Sequence, residues 1–125
     1  MRKVVEGIVT SRFGMRVHPV TKVSRMHYGV DVSAPAGTPI FCPMAGQVII
    51  CGCSPSEGNF VHVRCGGLMF VFMHLSSFAV CQSQMVGKGQ QIGTVGKTGL
   101  ATGNHLHFEV HINGVPVNPE GYINF

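Results

Sequence analysis

The chain has 125 residues, a formal charge of +4, 45% apolar residues and only 11% charged residues. This length suits one compact domain, and the low charge excludes a disordered chain, which is rich in charge and poor in apolar groups. The basic residues form no run and no Arg-rich helix, so we expect no nucleic-acid partner. The longest uninterrupted apolar stretch, residues 68–73, is far shorter than the roughly 20 residues that span a bilayer, so we expect no membrane span.

The first chemically distinctive stretch is His27-Tyr-Gly-Val-Asp31, which contains the only aspartate of the chain. On a fully extended strand His27 and Asp31 would lie about 13 Å apart, too far to share an ion. We therefore predict a bend at Gly29 that brings the two side chains together. Taken alone, this motif is a weak signal.

Candidate strands recur at short intervals between clusters of Gly, Pro and Ser. The pair Gly66-Gly67 lies between two of these strands and predicts a two-residue hairpin. Residues 68–75 are apolar on both faces, as expected for a strand in the middle of a sheet. No stretch keeps a helical period with caps. The sequence thus predicts a mainly β, single compact domain of antiparallel sheets with little helix, whose candidate strands are residues 47–51, 59–65, 68–75, 91–95 and 105–112.

Two further features lie between the first motif and the last strand. His74 ends an apolar run, where an imidazole is costly to bury unless it is hydrogen bonded, and such a residue is more often structural than catalytic. The segment from Gly87 to Gly103 holds six glycines but no nucleotide-binding motif. We predict that this segment turns tightly and brings its backbone close to a bound group.

The strand His105–Ile112 alternates polar and apolar residues without exception. Its polar face carries either a pair of histidines, one of which binds a metal while the other contacts a water or substrate on that metal, or a solvent face that happens to contain histidine. The former reading is supported by the combination with the first motif, because two histidines and one carboxylate with an open fourth position form a catalytic zinc site. The polar face holds His105, His107, Glu109 and His111, and we predict that Leu106, Phe108, Val110 and Ile112 enter the core.

We predict structural roles for the five cysteines and for two further histidines. Cys42, Cys51, Cys53, Cys65 and Cys81 lack the spacing of a zinc ribbon, and we expect them to act as small buried hydrophobes. We expect His18 to shape a loop before Pro19, and His62 to be solvated beside Arg64.

In its ordered motifs the chain resembles a LytM-type, lysostaphin-like M23 family zinc metallopeptidase domain over residues 11–119. The matching stretches are Ser11-Arg-Phe-Gly-Met-Arg-Val-His-Pro19, His27-Tyr-Gly-Val-Asp31, Ala34-Pro-Ala-Gly-Thr-Pro39, Met73-His-Leu-Ser76 and Gly96-Lys-Thr-Gly-Leu-Ala-Thr-Gly-Asn-His-Leu-His-Phe-Glu109. The resemblance implies a lead-in segment at residues 1–10 and an M23-like domain at residues 11–125. It also implies action in the cell envelope or outside the cell, as an excised part of a larger protein.

The resemblance assigns the site residues. It implies that His27, Asp31 and His107 bind one Zn²⁺ ion, and that His74 and His105 are catalytic. It further implies a groove holding the zinc site, which admits peptidoglycan peptides between walls formed by residues 12–25 and 87–103.

Several alternatives stay open. A non-catalytic cell-wall-binding or regulatory module of the same fold would not need His74. A sugar-transport phosphocarrier would not need a carboxylate ligand, so Asp31 counts against it. Glu109 is either a hydrogen-bond partner of a metal-binding imidazole or a solvent-facing carboxylate. We expect His111 to have a structural role. Arg16 is a candidate to stabilise an oxyanion. Oligomeric state and the bond cleaved are not predicted.

Overall fold

The computed structural model describes residues 1–17 and 20–125, and these residues form a mainly antiparallel β fold. His18 and its predicted role lie outside the described residues. The strands are β1 (Ile8–Ser11), β2 (Gly14–Val17), β3 (Ser24–His27), β4 (Val30–Ser33), β5 (Pro39–Phe41), β6 (Gly46–Ser54), β7 (Gly58–Cys65), β8 (Leu68–Phe78), β9 (Met85–Val86), β10 (Gln91–Val95), β11 (His105–Ile112) and β12 (Val115–Val117), followed by a 3-10 helix at Pro119–Gly121.

One large sheet carries most of these strands, in the order β1-β4-β11-β8-β7-β6-β9. Strand β12 pairs with β11, and β10 pairs with both β5 and β8, while β2 and β3 form a separate two-stranded sheet. The central position of β8, between β11 and β7, agrees with its prediction from an apolar run on both faces. The antiparallel fold class is confirmed.

The core lies on one face of the large sheet and is built from side chains that alternate with the polar ones. Phe70, Phe72 and Phe108 are fully buried, and the Phe108 ring lies 5.7 Å from the Phe70 ring and 5.2 Å from the Phe72 ring, centroid to centroid. Burying each such side chain contributes roughly 1.5–3 kcal/mol. Because Phe108 enters this core, its neighbours on β11 must point to the opposite face.

The strand predictions agree closely with the structure. Strands β10 and β11 have the predicted bounds, and the three earlier candidates are each part of a longer strand. The predicted hairpin is confirmed, because Cys65 and Leu68 are paired across Gly66-Gly67. Ile112 is only half-buried, so its placement in the core was wrong, since β11 pairs there with the short edge strand β12 and the core ends.

The N-terminal residues take part in the fold. Val4 and Val5 are buried in the core, and β1 pairs with β4, the strand that carries Asp31. The division between a lead-in at residues 1–10 and a domain at residues 11–125 stays a prediction. Residues on both sides of that division supply core contacts and sheet pairing.

All five cysteines are free thiols. Cys42 and Cys65 are buried, as predicted, and Cys51 is half-buried. Cys53 and Cys81 are exposed, so the prediction of burial was wrong for these two. Cys53 lies near the end of β6, where alternate side chains face solvent, and Cys81 lies in the turn that precedes β9.

Within residues 1–17 and 20–125, no helix has the length and apolar character needed to cross a membrane.

Candidate metal centre

The structure brings His27, Asp31 and His107 together on the polar side of the large sheet. Asp31 on β4 is the direct cross-strand partner of His107 on β11, and the His107 Nδ1 donates a hydrogen bond of 2.7 Å to the Asp31 Oδ1. The His27 Nε2 lies 3.3 Å from the Asp31 Oδ2. One ligand atom from each of the three residues falls within 4.8 Å of the other two, which is the spacing of a potential metal site.

The predicted bend at Gly29 is present, but glycine is required for a different reason. β3 ends at His27 and β4 begins at Val30, so the two strands meet at Tyr28-Gly29. Gly29 does not have a positive φ. A Cβ there would lie 2.4 Å from the Phe108 carbonyl oxygen and 3.0 Å from the His107 Cε1, so only glycine lets the bend pass this close to β11.

Both imidazoles beside Asp31 are anchored through one ring nitrogen. The His27 Nδ1 donates to the Arg12 carbonyl oxygen at 2.9 Å, which leaves its Nε2 directed at Asp31. The His107 Nε2 donates to the Glu109 Oε2 at 2.7 Å, which leaves its Nδ1 directed at Asp31. Such contacts fix the orientation of a ligand imidazole and the ring nitrogen it offers to a metal.

Glu109 is a hydrogen-bond partner rather than a solvent-facing carboxylate. Its Oε1 accepts from the His111 Nε2 at 2.7 Å while its Oε2 accepts from His107. Among the described residues, His111 lies outside the potential metal cluster and is linked to it through Glu109. The polar face of β11 is therefore one connected chain of imidazole and carboxylate groups.

His74 is held beside this cluster in an unusual backbone conformation. Its φ is 68°, and its amide donates to the Glu57 carbonyl oxygen at 2.9 Å. The pairing of β7 with β8 shifts register here, because Asn59 faces Leu75 whereas Val61 faces Phe72. An extra residue in β8 re-aims the side chain, and left-handed conformations at non-glycine residues concentrate at functional sites.

The His74 side chain is buried and hydrogen bonded, as its position predicted. Its Nδ1 donates to the Thr98 carbonyl oxygen at 2.8 Å, and its ring centroid lies 6.3 Å from that of His107. His105 is anchored in the same way, because its Nδ1 donates to the Gly103 carbonyl oxygen at 3.0 Å. The His74 and His105 ring centroids are 4.9 Å apart, and the His105 Nε2 lies 3.8 Å from the Asp31 Oδ1.

The two predicted groove walls supply these backbone carbonyls. Residues 12–25 contribute the Arg12 oxygen that fixes His27, and residues 87–103 contribute the Thr98 and Gly103 oxygens that fix His74 and His105. Residue type gives no signal of a carbonyl anchor, so sequence reasoning did not find these contacts. The glycine-rich composition of residues 87–103 signalled only that the backbone approaches something closely.

The opposite charges in the cluster each favour the charged form of the other group. Burial alone would raise the pKa of Asp31, but the His107 hydrogen bond and the neighbouring imidazoles outweigh it and hold that pKa below its usual range. Burial alone would lower the pKa of His107, but its bonds to Asp31 and Glu109 raise that pKa to about 9. Without a metal, His107 is thus protonated and donates from both ring nitrogens.

The pKa of His74 moves the other way. Burial lowers the pKa of this imidazole, and the hydrogen bond to the Thr98 carbonyl offsets the fall only in part. His74 is therefore neutral near pH 7 and its Nε2 can accept a proton.

Of the other candidates, Arg16 donates to the Ser11 Oγ, which lies 3.4 Å from the His27 Nδ1.

His62 is not solvated, so that prediction was wrong. Its Nε2 is buried and has no hydrogen-bond partner among residues 1–17 and 20–125, and its ring centroid lies 5.3 Å from that of Phe60 with the two planes tilted by 46°. Burial lowers the pKa of this imidazole. Arg64, on the same face of β7, is exposed as expected.

The donor set of the cluster fits a zinc ion. Two imidazole nitrogens and one carboxylate are ligands that Zn²⁺ accepts, and three protein ligands leave the open position of a catalytic site. The proton on the His107 Nδ1 occupies the direction in which a metal would bind, and metal binding to imidazole releases such a proton. The hydrogen bond from the His107 Nε2 to Glu109 is compatible with both the metal-free and the metal-bound state of His107.

Comparisons with known proteins identify the family of the chain. The family model for peptidase family M23 matches residues 25–119. The DD-carboxypeptidase/endopeptidase Mpg of Neisseria meningitidis serogroup B is 43% identical over 112 residues, which are 89% of this chain and 26% of that protein. The peptidoglycan DD-endopeptidase ShyA of Vibrio cholerae is 42% identical over 104 residues, which are 82% of this chain and 24% of that protein.

A crystal structure of a zinc-containing peptidase from Vibrio cholerae superposes with a TM-score of 0.87 at 35% identity, covering 93% of this chain and 37% of that one. The chain spans about a quarter of the length of the curated relatives, 26% and 24%. Because the family model matches most of the chain, including the strands that carry the metal cluster, the chain belongs to peptidase family M23.

Proposed function

We propose that the chain is a zinc-dependent endopeptidase that hydrolyses amide bonds in peptidoglycan stem peptides or cross-bridges. The observation that carries this proposal is the convergence of His27, Asp31 and His107 into one donor cluster. Relatives named as peptidoglycan DD-endopeptidases support the substrate class. His74 and His105, anchored beside the cluster, support hydrolysis over a purely structural metal site.

We assign the metal to His27 Nε2, the Asp31 carboxylate and His107 Nδ1. A zinc ion held by such a set supplies a Lewis acid that polarises the scissile carbonyl and lowers the pKa of water towards neutrality. Asp31 partly balances the charge, and its low pKa keeps it ionised. Glu109 and the Arg12 carbonyl hold the two imidazoles in the ring orientation that presents these nitrogens.

We assign proton transfer to His74 and His105. Each ring donates its Nδ1 proton to a backbone carbonyl, so each presents an unprotonated Nε2 when neutral. An Nε2 beside the cluster can take a proton from the attacking water and return it to the leaving amine. A protonated ring in the same place can also donate to the oxyanion of the tetrahedral intermediate.

The placement of the walls supports an extended peptide as substrate. The anchoring carbonyls of Arg12 and Thr98 belong to the two predicted walls and contact imidazoles of the site. A peptide lying between them can form backbone hydrogen bonds in the manner of an added strand. Because relatives such as ShyA are named peptidoglycan DD-endopeptidases, we propose that the chain acts in the cell envelope or outside the cell.

The variant His74→Ala tests the proposal. We expect it to retain zinc, because His74 is not assigned to the metal, and to lose cleavage of purified muropeptides by at least 10²-fold, which is the lower range for a lost acid–base group. Zinc content is measured by atomic absorption and cleavage by mass spectrometry of the products. The exposed turn residue Gln82 offers a control, because Gln82→Ala should leave both quantities unchanged.

A non-catalytic wall-binding or regulatory module gives a different set of results. Wild-type protein would then leave defined muropeptides intact, and removal of zinc by a chelator would change no reaction. Normal digestion by His74→Ala would instead show that the assignment of His74 is wrong, even though the chain is a hydrolase.

A further inference from the structure

A groove lies at the far end of the same sheet face, beyond the candidate metal centre. It has a volume of about 420 Å³ and is bordered by the β7–β8 hairpin and by the turn between β11 and β12. The lining side chains that matter here are His62, Arg64, Met69, Val71 and His111. None of these residues belongs to the proposed metal ligands or proton-transfer groups.

The floor of this groove continues the floor of the metal centre. On β11, His107 and His111 point to the same face and lie four residues apart, about 13 Å along an extended strand. On the neighbouring β8, Met69 is paired with His111 just as Met73 is paired with His107. An extended peptide running along this face would span the separation with about four residues.

The groove carries a positive charge with no internal partner. Within residues 1–17 and 20–125, the Arg64 guanidinium forms no ion pair with any carboxylate, and its side chain is exposed. Glu109, which shares this face of β11, has both oxygens engaged by His107 and His111. The wall also includes the buried Nε2 of His62, which has no hydrogen-bond partner in the described part of the chain.

We propose that this groove is a subsite for a carboxylate of an extended peptide substrate, with Arg64 as the group that binds it. The inference rests on the proposed peptidase function, which it extends to substrate selection. A guanidinium presents a planar fork of donors that matches a carboxylate in two parallel hydrogen bonds. An unpaired arginine at one end of an apolar floor of Met69 and Val71 therefore favours a peptide with an acidic group over the same peptide carrying an amide.

The predicted consequence is discrimination between free and amidated stem peptides. Arg64 lies two strands across the sheet from β11, because it is paired with Met69, which is paired with His111. Strands lie about 4.8 Å apart and an extended chain advances 3.2–3.4 Å per residue, so a free carboxylate about five residues from the scissile bond should reach Arg64. Converting that carboxylate to a carboxamide removes the charge and one acceptor. We expect a preference of about tenfold for the free acid, equivalent to about 1.4 kcal/mol.

The test compares a synthetic stem peptide with free carboxylates and its amidated counterpart. Binding to the His74→Ala variant is measured by calorimetry, and kcat/KM is measured with wild-type protein. Arg64→Gln should reduce the preference ratio from about tenfold to near one, and Arg64→Lys should retain part of it, because a point charge replaces the fork. Lys3→Gln, which removes a partly exposed cation paired with Glu6, should leave the ratio unchanged.

The outcomes separate this inference from the proposed function. Equal binding of the two peptides, no binding of either, or an unchanged ratio in Arg64→Gln would each overturn the subsite. A binding preference for the free acid that Arg64→Gln abolishes would support the subsite, whether or not wild-type protein cleaves the peptides. Failure of wild-type protein to cleave either peptide would count against the proposed hydrolase function alone.

Discussion

Replacing Glu109 with glutamine tests how the metal-binding imidazole of His107 is oriented. The carboxylate accepts two hydrogen bonds of 2.7 Å, one from His107 and one from His111. A glutamine amide has one oxygen and one NH₂ group, so it can accept only one of these bonds with its oxygen. The other imidazole then faces a donor and must rotate or change its tautomer.

The expected loss follows from this geometry. A hydrogen bond to a charged group contributes about 1.5–3 kcal/mol, and about 1.4 kcal/mol corresponds to a factor of ten. Loss of one bond therefore predicts about 10- to 100-fold weaker zinc binding, which agrees with the usual effect of mutating the partner of a metal-binding imidazole. The zinc Kd is measured by competition with a chromophoric chelator at pH 7.

The matched control is Glu120→Gln, because Glu120 forms an ion pair with the exposed Arg12 side chain and lies outside the metal cluster found among the described residues. Its zinc Kd should equal that of wild-type protein. Wild-type zinc affinity in Glu109→Gln would refute the reasoning, since the ring orientation of His107 would then not depend on Glu109. An equal loss in both variants would indicate a general charge effect instead.

Three further variants test the fold and the local chemistry. Gly29→Ala should weaken zinc binding at least tenfold in chelator competition, because its Cβ would lie 2.4 Å from the Phe108 carbonyl oxygen. The control Gly121→Ala should bind zinc as wild-type protein does, because a Cβ at Gly121 has no atom within 4 Å. Equal zinc affinities of the two variants would contradict this prediction. Phe108→Ala should lower the free energy of unfolding by about 3–5 kcal/mol in urea titrations, and a loss under 1 kcal/mol would contradict its central place in the core. His62→Phe should make unfolding free energy less dependent on pH between 5 and 7 in metal-free protein. The folded-state pKa of His62 lies below its unfolded value, so the unfolded chain binds more protons as pH falls through about 6.5, and wild-type stability is lost on acidification. An unchanged slope of unfolding free energy against pH in the variant would contradict this prediction.

Much of the fold could be predicted from the sequence because its strands carry strong local signals. The strict alternation of residues 105–112 and the Gly66-Gly67 turn depend only on side-chain period and turn chemistry, and both agree with the structure. Short strands such as β1, β5 and β9 were not predicted. Their few residues acquire strand structure from pairing with longer neighbours, which a local pattern does not contain.

The site could be predicted in part for a similar reason. Residue types and spacing singled out His27, Asp31 and the histidines of β11, and their convergence follows from the pairing of β4 with β11. The carbonyl anchors of Arg12, Thr98 and Gly103 could not be predicted, because every residue carries the same carbonyl group. The burial of His62 was missed because alternation predicts a face of the sheet but not what covers that face.

The most direct test of the central claim is the position of zinc in crystals of the zinc-loaded chain, located by anomalous scattering at the zinc absorption edge. The proposal predicts one strong peak within about 2.0–2.2 Å of the His27 Nε2, an Asp31 oxygen and the His107 Nδ1, with the fourth position free of protein atoms. A peak at the Cys42 and Cys65 thiols, or a fourth protein ligand closing the site, would contradict it.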